Sequence, residues 1–102
     1  MNINKTQDND KIILSLAGRL DTMTAPQLQE ALIREFDTAK EIKLDFKEIT
    51  YVSSAGLRVL LMGEKTAKAK GTSMTLGNVS ADIMEVFSMT GFDSVLHIIQ
   101  DR

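Results

Sequence analysis

Two adjacent serines, Ser53 and Ser54, have the clearest potential for chemistry in this chain. They follow an apolar strand pattern and precede Ala55 and Gly56, where a helix is expected to begin. A hydroxyl at such a position lies beside the unpaired N–H groups of the first helical turn, which favour an anion. A phosphate there would add a charge of about −1.5 to −2 without unfolding the helix. Because Ala55 and Gly56 are small, the hydroxyl would also be open to another protein's active site.

The same residues fit a purely structural role. Serine is a favoured N-cap, because its side-chain oxygen accepts a hydrogen bond from a first-turn N–H group, and such caps are common. Gly56 would then serve only to allow tight packing. Composition favours this structural interpretation, and the residues alone leave both interpretations open.

The motifs of common enzymes are absent. Val52 stands where the first glycine of a Gly-x-Ser-x-Gly nucleophile elbow around Ser54 would be. The single histidine, His97, lies in an apolar pattern and is expected to be a core or edge residue of a strand rather than a general base. There is no cysteine and no glycine-rich nucleotide motif, and the carboxylates are scattered. We therefore expect neither an enzyme nor a bound metal or other cofactor.

Composition narrows the class of protein further. The 102 residues fit one domain, 1–102. Twelve Lys plus Arg against fourteen Asp plus Glu give a net charge of −2, whereas nucleic-acid binding needs a surplus of cations. The longest apolar run, residues 59–62, is far shorter than the ~20 residues that span a bilayer, and the N-terminus has no signal-peptide pattern. The sequence predicts a cytoplasmic protein that binds neither nucleic acid nor membrane.

Apolar periodicity predicts the elements that position the serines. Alternating residues predict two strands that form a hairpin around a polar turn at residues 7–10, the second strand ending at Gly18. Thr24 and Gln27 match a capping box, and Pro26 suits the first turn of the helix that follows. The residues expected on its buried face are Leu28, Ala31, Leu32, Phe36 and Ala39.

The later elements alternate between strand and helix. They are predicted in the order strand 41–46, helix from Leu57 to about Lys70 opened by residues 53–56, strand 73–77, helix from Ser80 to Gly91, strand 94–99 and a solvated tail, 100–102. The fold class is therefore α/β, with the order β-β-α-β-α-β-α-β. We expect a mixed, mostly parallel sheet of four to five strands flanked by α-helices.

The segment Val52-Ser53-Ser54-Ala55-Gly56-Leu57-Arg58-Val59-Leu60-Leu61, preceded by Leu44-Asp45-Phe46, resembles the signature of the STAS family, the sulfate-transporter and anti-sigma-factor-antagonist domain. Gly18-Arg19-Leu20-Asp21, Lys70-Gly71 and Met89-Thr90-Gly91-Phe92 are similar to further patterns of that family. The resemblance covers essentially the whole chain. It implies a STAS-type fold.

The resemblance also implies a function. Stand-alone bacterial members are typically anti-sigma-factor antagonists in partner switching. The unphosphorylated antagonist binds an anti-sigma factor that is also a serine kinase, and the sigma factor is released. The kinase then phosphorylates the antagonist, which dissociates, and a PP2C-type phosphatase resets it. By position the acceptor is Ser54, and Ser53, which stands where many antagonists have Asp, is a competing acceptor.

The partner-binding face implied by the resemblance comprises Asp21, Ser53, Ser54, Ala55, Gly56 and Arg58. Asp21 fits equally a turn or cap role, and Arg58 fits a solvated helix face. Met84 and Met89 are candidate adaptable contacts or core residues. We assign Leu57, Leu60 and Leu61 to the core.

Three other functions stay open at this point. The chain fits an unphosphorylated STAS subunit of a lipid or anion transport assembly. It also fits a phosphocarrier or nucleotide-binding protein, or an interaction module in which Ser54 is only structural. As for oligomeric state, we expect a monomer or a weak dimer.

Overall fold

The computed structural model describes residues 1–99, and its elements follow the predicted order. They are β1 (Asn2–Asp8), β2 (Lys11–Leu20), α1 (Ala25–Phe36), β3 (Glu41–Val52), α2 (Ser54–Lys70), β4 (Ser73–Gly77), α3 (Ala81–Thr90), a 3₁₀ turn (Phe92–Ser94) and β5 (Ile98–Ile99). The predicted solvated tail, residues 100–102, lies outside the described residues.

The five strands form one mixed sheet in the order β1-β2-β3-β4-β5. β1 and β2 pair antiparallel as a hairpin, and every later neighbouring pair is parallel. A parallel pair needs a crossover connection, and α1, α2 and α3 supply these connections. The predicted mixed, mostly parallel sheet is confirmed.

One face of this sheet carries the core. Ile12 of β2 pairs with Ile42 of β3, which pairs with Met74 of β4, and all three are at most 2% exposed. The residues that alternate with them point to the other face and are only half-buried, as at Ile13 and Thr75. The apolar side of the sheet is therefore the side that the helices must cover.

All three helices pack on that face. A Cβ added at Gly63 of α2 would lie 2.9 Å from the sulfur of Met74 and 3.2 Å from Cδ1 of Leu32, so α1, α2 and β4 meet there. In α3, the ring of Phe87 lies 6.2 Å from that of Phe46 of β3. Apolar burial thus fixes the helices against the sheet.

The start of α2 makes the closest approach to a strand. A Cβ at Gly56 would lie only 2.7 Å from Cγ of Leu20 and 2.9 Å from the Leu20 carbonyl oxygen. Real Cβ atoms essentially never come so near, so a side chain at residue 56 would force α2 away from β2. Glycine here holds the first turn of α2 against the carboxyl end of β2.

Three strands are longer than predicted, and α2 begins earlier. β1 includes residues 7 and 8, so the predicted turn at residues 7–10 is reduced to residues 9 and 10. β2 continues past Gly18 to Leu20, and β3 continues past Phe46 to Val52, so α2 starts at residue 54 rather than 57. The β2–β3 register shifts between residues 15 and 17 and again between residues 18 and 19. Such irregularities break the period-2 alternation that marks a strand in sequence.

The predicted capping box at α1 is wrong. Thr24 is the N-cap residue but makes no side-chain cap bond. Its hydroxyl instead donates to the carbonyl of Arg19 at 2.7 Å and accepts from the N–H of Asp21 at 2.9 Å. The four other residues of the predicted buried face lie within α1, whereas Ala39 is buried beyond the helix end at Phe36.

The last strand is shorter than predicted. The N–H groups of Val95 and Leu96 donate to the carbonyl of Phe92, so the start of the predicted strand forms a 3₁₀ turn. His97 precedes β5, and its side chain is 63% exposed, which corrects the expectation of a core or edge histidine within a strand. Its Nε2 lies 3.2 Å from the carboxylate of Glu64, a buried residue of α2 that sequence reasoning missed.

We predict that Gly56→Ala lowers the free energy of unfolding by about 1–3 kcal/mol, because the added methyl overpacks against Leu20. At an unconstrained helix position the same change would stabilise by about 1 kcal/mol. Urea denaturation measures the sign, with Ala69→Gly at an exposed position of α2 as the control for helix propensity. A rise in stability for Gly56→Ala would contradict the close approach.

Candidate functional site

The carboxyl ends of β2 and β3 bring the predicted site residues together. Leu20 pairs with Val52, and the N–H of Ser53 donates to the carbonyl of Leu20 at 2.9 Å. The turn that contains Asp21 therefore lies beside the first turn of α2. Loops at the carboxyl end of parallel strands are where α/β proteins place their binding residues.

Ser53 is the N-cap of α2. Its backbone is extended (φ −96°, ψ 175°), and its Oγ accepts a hydrogen bond from the N–H of Gly56 at 3.4 Å. Its carbonyl accepts from the N–H of Leu57 at 2.9 Å. Both oxygens of Ser53 are thus engaged in starting the helix.

Ser54 has the opposite environment. It is the first residue of α2 and is exposed. Among the described residues, none forms a hydrogen bond with its hydroxyl. From sequence alone, either serine could be the N-cap of α2. In the structure Ser53 is the N-cap, and the Ser54 hydroxyl remains accessible.

Asp21 shapes the neighbouring turn. Its Oδ1 accepts from the N–H groups of Met23 at 3.0 Å and Thr24 at 3.2 Å, and it lies 3.2 Å from the Thr24 hydroxyl oxygen. Its Oδ2 lies 3.4 Å from Nε of Arg19. The geometry is that of the turn residue weighed above, and contact between Asp21 and a partner stays a prediction.

These contacts also favour the ionised form of Asp21. Desolvation raises the pKa of this carboxyl, but the hydrogen bonds from Thr24 and Met23 and the contact with Arg19 outweigh it, so the pKa lies below the ordinary 3.8. A carboxyl whose pKa is lower in the folded than in the unfolded protein contributes its full stabilisation at pH values above the unfolded-state pKa. That stabilisation is lost as the pH falls through the folded-state pKa. The turn is therefore held by an anionic Asp21 at neutral pH.

Sequence reasoning missed part of the rim of this site. The guanidinium carbon of Arg19 lies 4.1 Å from the ring centroid of Tyr51, a cation–π contact across β2 and β3. Met23, in the Asp21 turn, is 86% exposed. The register that places Arg19 opposite Tyr51 depends on the β2–β3 irregularities, so no local sequence signal reveals it.

A groove between α1 and α2 adjoins Ser54. Its walls are formed by Thr22, Ala25, Pro26, Gln29, Ala55, Arg58, Val59 and Met62. Arg58 also lines a second depression along α2 together with Leu61 and Lys65. Leu61, predicted as a core residue, is only half-buried there, which corrects that assignment, whereas Leu57 and Leu60 are buried as predicted.

The two methionines of α3 differ in environment. Met84 is half-buried and packs against the core, and Met89 is 81% exposed. Because α3 begins after β4 and runs back along the sheet, Met89 near its end lies away from the Ser54 edge. Contact between either methionine and a partner stays a prediction.

Residues 1–99 contain neither a metal-binding cluster nor a membrane-spanning helix. No group of three or more His, Asp or Glu residues within residues 1–99 could hold a metal ion. Over the same residues, every helix is too short or too polar to cross a bilayer.

Comparison with known families identifies the domain. The family model described as "Mlab, STAS domain" matches residues 3–100. The chain belongs to the STAS family. The resemblance inferred from residues 52–61 is therefore confirmed.

Two relatives of this STAS chain share the same name. The anti-sigma-B factor antagonist of Bacillus subtilis (strain 168) is 29% identical over 98 residues, covering 96% of this chain and 90% of that protein. The anti-sigma-B factor antagonist of Listeria monocytogenes is 32% identical over 97 residues, covering 92% of this chain and 83% of that protein.

The fold of this STAS chain is shared with a solved structure. The anti-sigma factor antagonist SpoIIAA in its unphosphorylated form aligns with a TM-score of 0.83 at 16% identity, covering 99% of this chain and 89% of that one. The phosphorylated form of SpoIIAA, described as a Bacillus cell fate determinant, aligns with a TM-score of 0.77 at 16% identity, covering 99% and 92% of the two chains. At this identity the likeness establishes the fold.

We predict that the two serines differ in their effect on stability. Ser53→Ala removes the N-cap and should lower the free energy of unfolding by about 1 kcal/mol. Ser54→Ala should change it by less than about 0.5 kcal/mol, because the hydroxyl is exposed and unbonded. Urea denaturation of the two single variants measures both values, and equal losses would contradict the assignment of Ser53 as the cap.

Proposed function

We propose that this protein is an anti-sigma-factor antagonist that is switched by phosphorylation of Ser54. The observation that carries the proposal is the division between the two serines. Ser53 caps α2 with its hydroxyl, whereas the Ser54 hydroxyl is exposed beside it. A kinase can reach the second hydroxyl without disturbing the helix start.

The relatives support the antagonist role. Two proteins that align over most of this chain are named anti-sigma-B factor antagonists, and solved structures of SpoIIAA include an unphosphorylated and a phosphorylated form. For this reason we favour the antagonist over the subunit of a transport assembly. The protein then acts by binding and has no catalytic residues of its own.

The partner of the unphosphorylated form is an anti-sigma factor with serine kinase activity. Its docking face is the start of α2 with the adjoining turn, formed by Asp21, Ser53, Ser54, Ala55 and Arg58, with Gly56 buried beneath them against Leu20. While Ser54 is neutral, its hydroxyl can be buried in the interface without adding a charge that the partner must compensate. Binding sequesters the anti-sigma factor and frees the sigma factor.

Phosphorylation is a transfer in which Ser54 is the acceptor. The Ser54 oxygen forms the new bond to the γ-phosphorus of ATP, the bond from that phosphorus to ADP breaks, and the hydroxyl proton passes to a base of the kinase. Nucleotide and metal belong to the kinase, so this chain needs no cofactor. A PP2C-type phosphatase removes the phosphate by hydrolysis and restores the binding form.

The phosphate ends the interaction by its charge. A dianion in the interface must be desolvated or must meet acidic groups of the partner. A penalty of about 2–3 kcal/mol corresponds to roughly two orders of magnitude in affinity. The switch therefore needs no change of fold.

Ser53 is the weaker candidate acceptor. Its hydroxyl accepts a hydrogen bond from the N–H of Gly56, and transfer of a phosphate to that oxygen would disturb the N-cap of α2.

The cycle takes place in the cytoplasm, where sigma factors act, and the antagonist operates as a monomer or a weak dimer.

We predict that Ser54→Ala binds the cognate kinase as the unmodified protein does but is not released on addition of ATP. Ser54→Asp should bind at least about tenfold more weakly, because it places a permanent charge in the interface. Isothermal titration calorimetry measures both affinities. The matched control is Ser88→Asp, which adds the same charge at an exposed position of α3. Equal affinities for the two Ser54 variants would refute the proposal.

A further inference from the structure

Arg58 is the cation placed to meet a group on Ser54. It lies four residues further along α2 and is exposed, as Ser54 is. Residues at i and i+4 of a helix are neighbours on one surface, with Cβ atoms about 5–6 Å apart. A phosphate on the Ser54 oxygen adds length toward solvent, and the Arg58 side chain can reach it.

Arg58 also has no competing partner in the part of the chain that the structure describes. Within residues 1–99, no carboxylate forms an ion pair with its guanidinium, and no side-chain hydrogen bond involves it. The other arginine of the site rim is already engaged, since Arg19 contacts Asp21 at 3.4 Å and the ring of Tyr51 at 4.1 Å. An anion on Ser54 would therefore gain Arg58 without breaking an existing contact.

The chemistry of the two groups fits. A guanidinium presents several N–H donors in one plane, and a phosphate monoester presents three acceptor oxygens. Their hydrogen bonds are charge-assisted and can be bidentate. A lysine ammonium is a point charge and cannot form the same planar, two-bond contact.

We propose that Arg58 pairs with the phosphate on Ser54 within the same molecule and thereby leaves the groove between α1 and α2 when the protein is phosphorylated. The source of the phosphate rests on the function proposed above. The pairing itself is a property of this helix and can be measured without any kinase.

The pairing adds a second effect to the switch. In the unphosphorylated protein, the free guanidinium of Arg58 stands at both depressions beside α2 and can bind an acidic group of the partner. Once it binds the phosphate, that contact is lost at the same time as the new negative charge appears. Partner release then follows from one lost attraction and one added repulsion.

Lys65 provides a matched comparison. It is an exposed cation of α2 that lines the same depression as Arg58, and it has no ion pair with a described carboxylate. It lies eleven residues from Ser54, about 16 Å along the helix axis at 1.5 Å per residue. Lys65 is too far away to contact a phosphate on Ser54, although its positive charge attracts that phosphate at long range as the charge of Arg58 does.

The test uses full-length protein with phosphoserine incorporated at position 54 during translation. A ³¹P NMR titration measures the second ionisation of the phosphate, which is ordinarily near pH 6. We expect Arg58→Gln to raise this pKa by about 0.3 of a pH unit, because a paired cation favours the dianion. Lys65→Gln should raise it much less, because Lys65 acts only through screened long-range attraction, and Arg58→Lys should restore part of the difference.

A second measurement follows the Arg58 side chain by NMR. Its Nε–H resonance should shift and its exchange with water should slow when Ser54 carries phosphate, and neither should change in a Ser88-phosphorylated control. Equal phosphate pKa values in Arg58→Gln and Lys65→Gln, or an unmoved Nε–H resonance, would overturn the proposal. Because the phosphate is installed without a kinase, these results stand even if the cell never phosphorylates Ser54, which would refute only the proposed function.

Discussion

The close approach of α2 to the end of β2 is the constraint on which the site depends. Because Gly56 has no Cβ, the Leu20 side chain and carbonyl can lie closer to it than a Cβ atom would allow. The same carbonyl accepts the N–H of Ser53 at 2.9 Å, which ties the helix start to the strand end. With α2 fixed there, Ser53 must turn its hydroxyl inward to the cap, and Ser54 must face solvent. The position of the proposed acceptor therefore follows from backbone packing rather than from any contact of its own.

This arrangement separates the groups that stabilise the fold from the groups that are proposed to carry the switch. The groups that hold the edge together are Ser53, Gly56 and the Asp21 turn, whose hydrogen bonds lower the pKa of Asp21. Within residues 1–99, the Ser54 hydroxyl and the Arg58 guanidinium, one turn apart on α2, have no hydrogen-bonded or ion-paired side-chain partner. A charge can then be added and removed at the surface while the core on the helix-covered face of the sheet stays intact. The proposed phosphorylation switch at Ser54 makes use of this separation.

Much of the fold could be predicted from the sequence, because simple periodicities encode it. The alternation of Ile42, Leu44 and Phe46 marked a strand, and Gly71 and Gly91 marked the ends of two helices, as observed. Residues 47–52 were missed as strand because the irregular pairing of β2 with β3 interrupts the alternation. The C-terminal strand is shorter than its apolar pattern predicts, because the N–H groups of Val95 and Leu96 donate to the Phe92 carbonyl in a 3₁₀ turn instead of pairing with a strand.

The site was predicted in part for a similar reason. The pair Ser53–Ser54 before Gly56 was visible, but sequence alone could not decide which hydroxyl caps the helix, since that depends on the residue at which α2 begins. Contacts set by tertiary register left no local signal. These include the Arg19–Tyr51 stacking and the buried Glu64 beside His97.

Phosphosite mapping tests the central claim most directly. The protein would be isolated from its own cells, growing and starved, and analysed by mass spectrometry with fragmentation that separates Ser53 from Ser54. The account predicts phosphate on Ser54 at a fraction that changes with growth state. An unmodified Ser54 in every condition, or phosphate on Ser53 in its place, would contradict it.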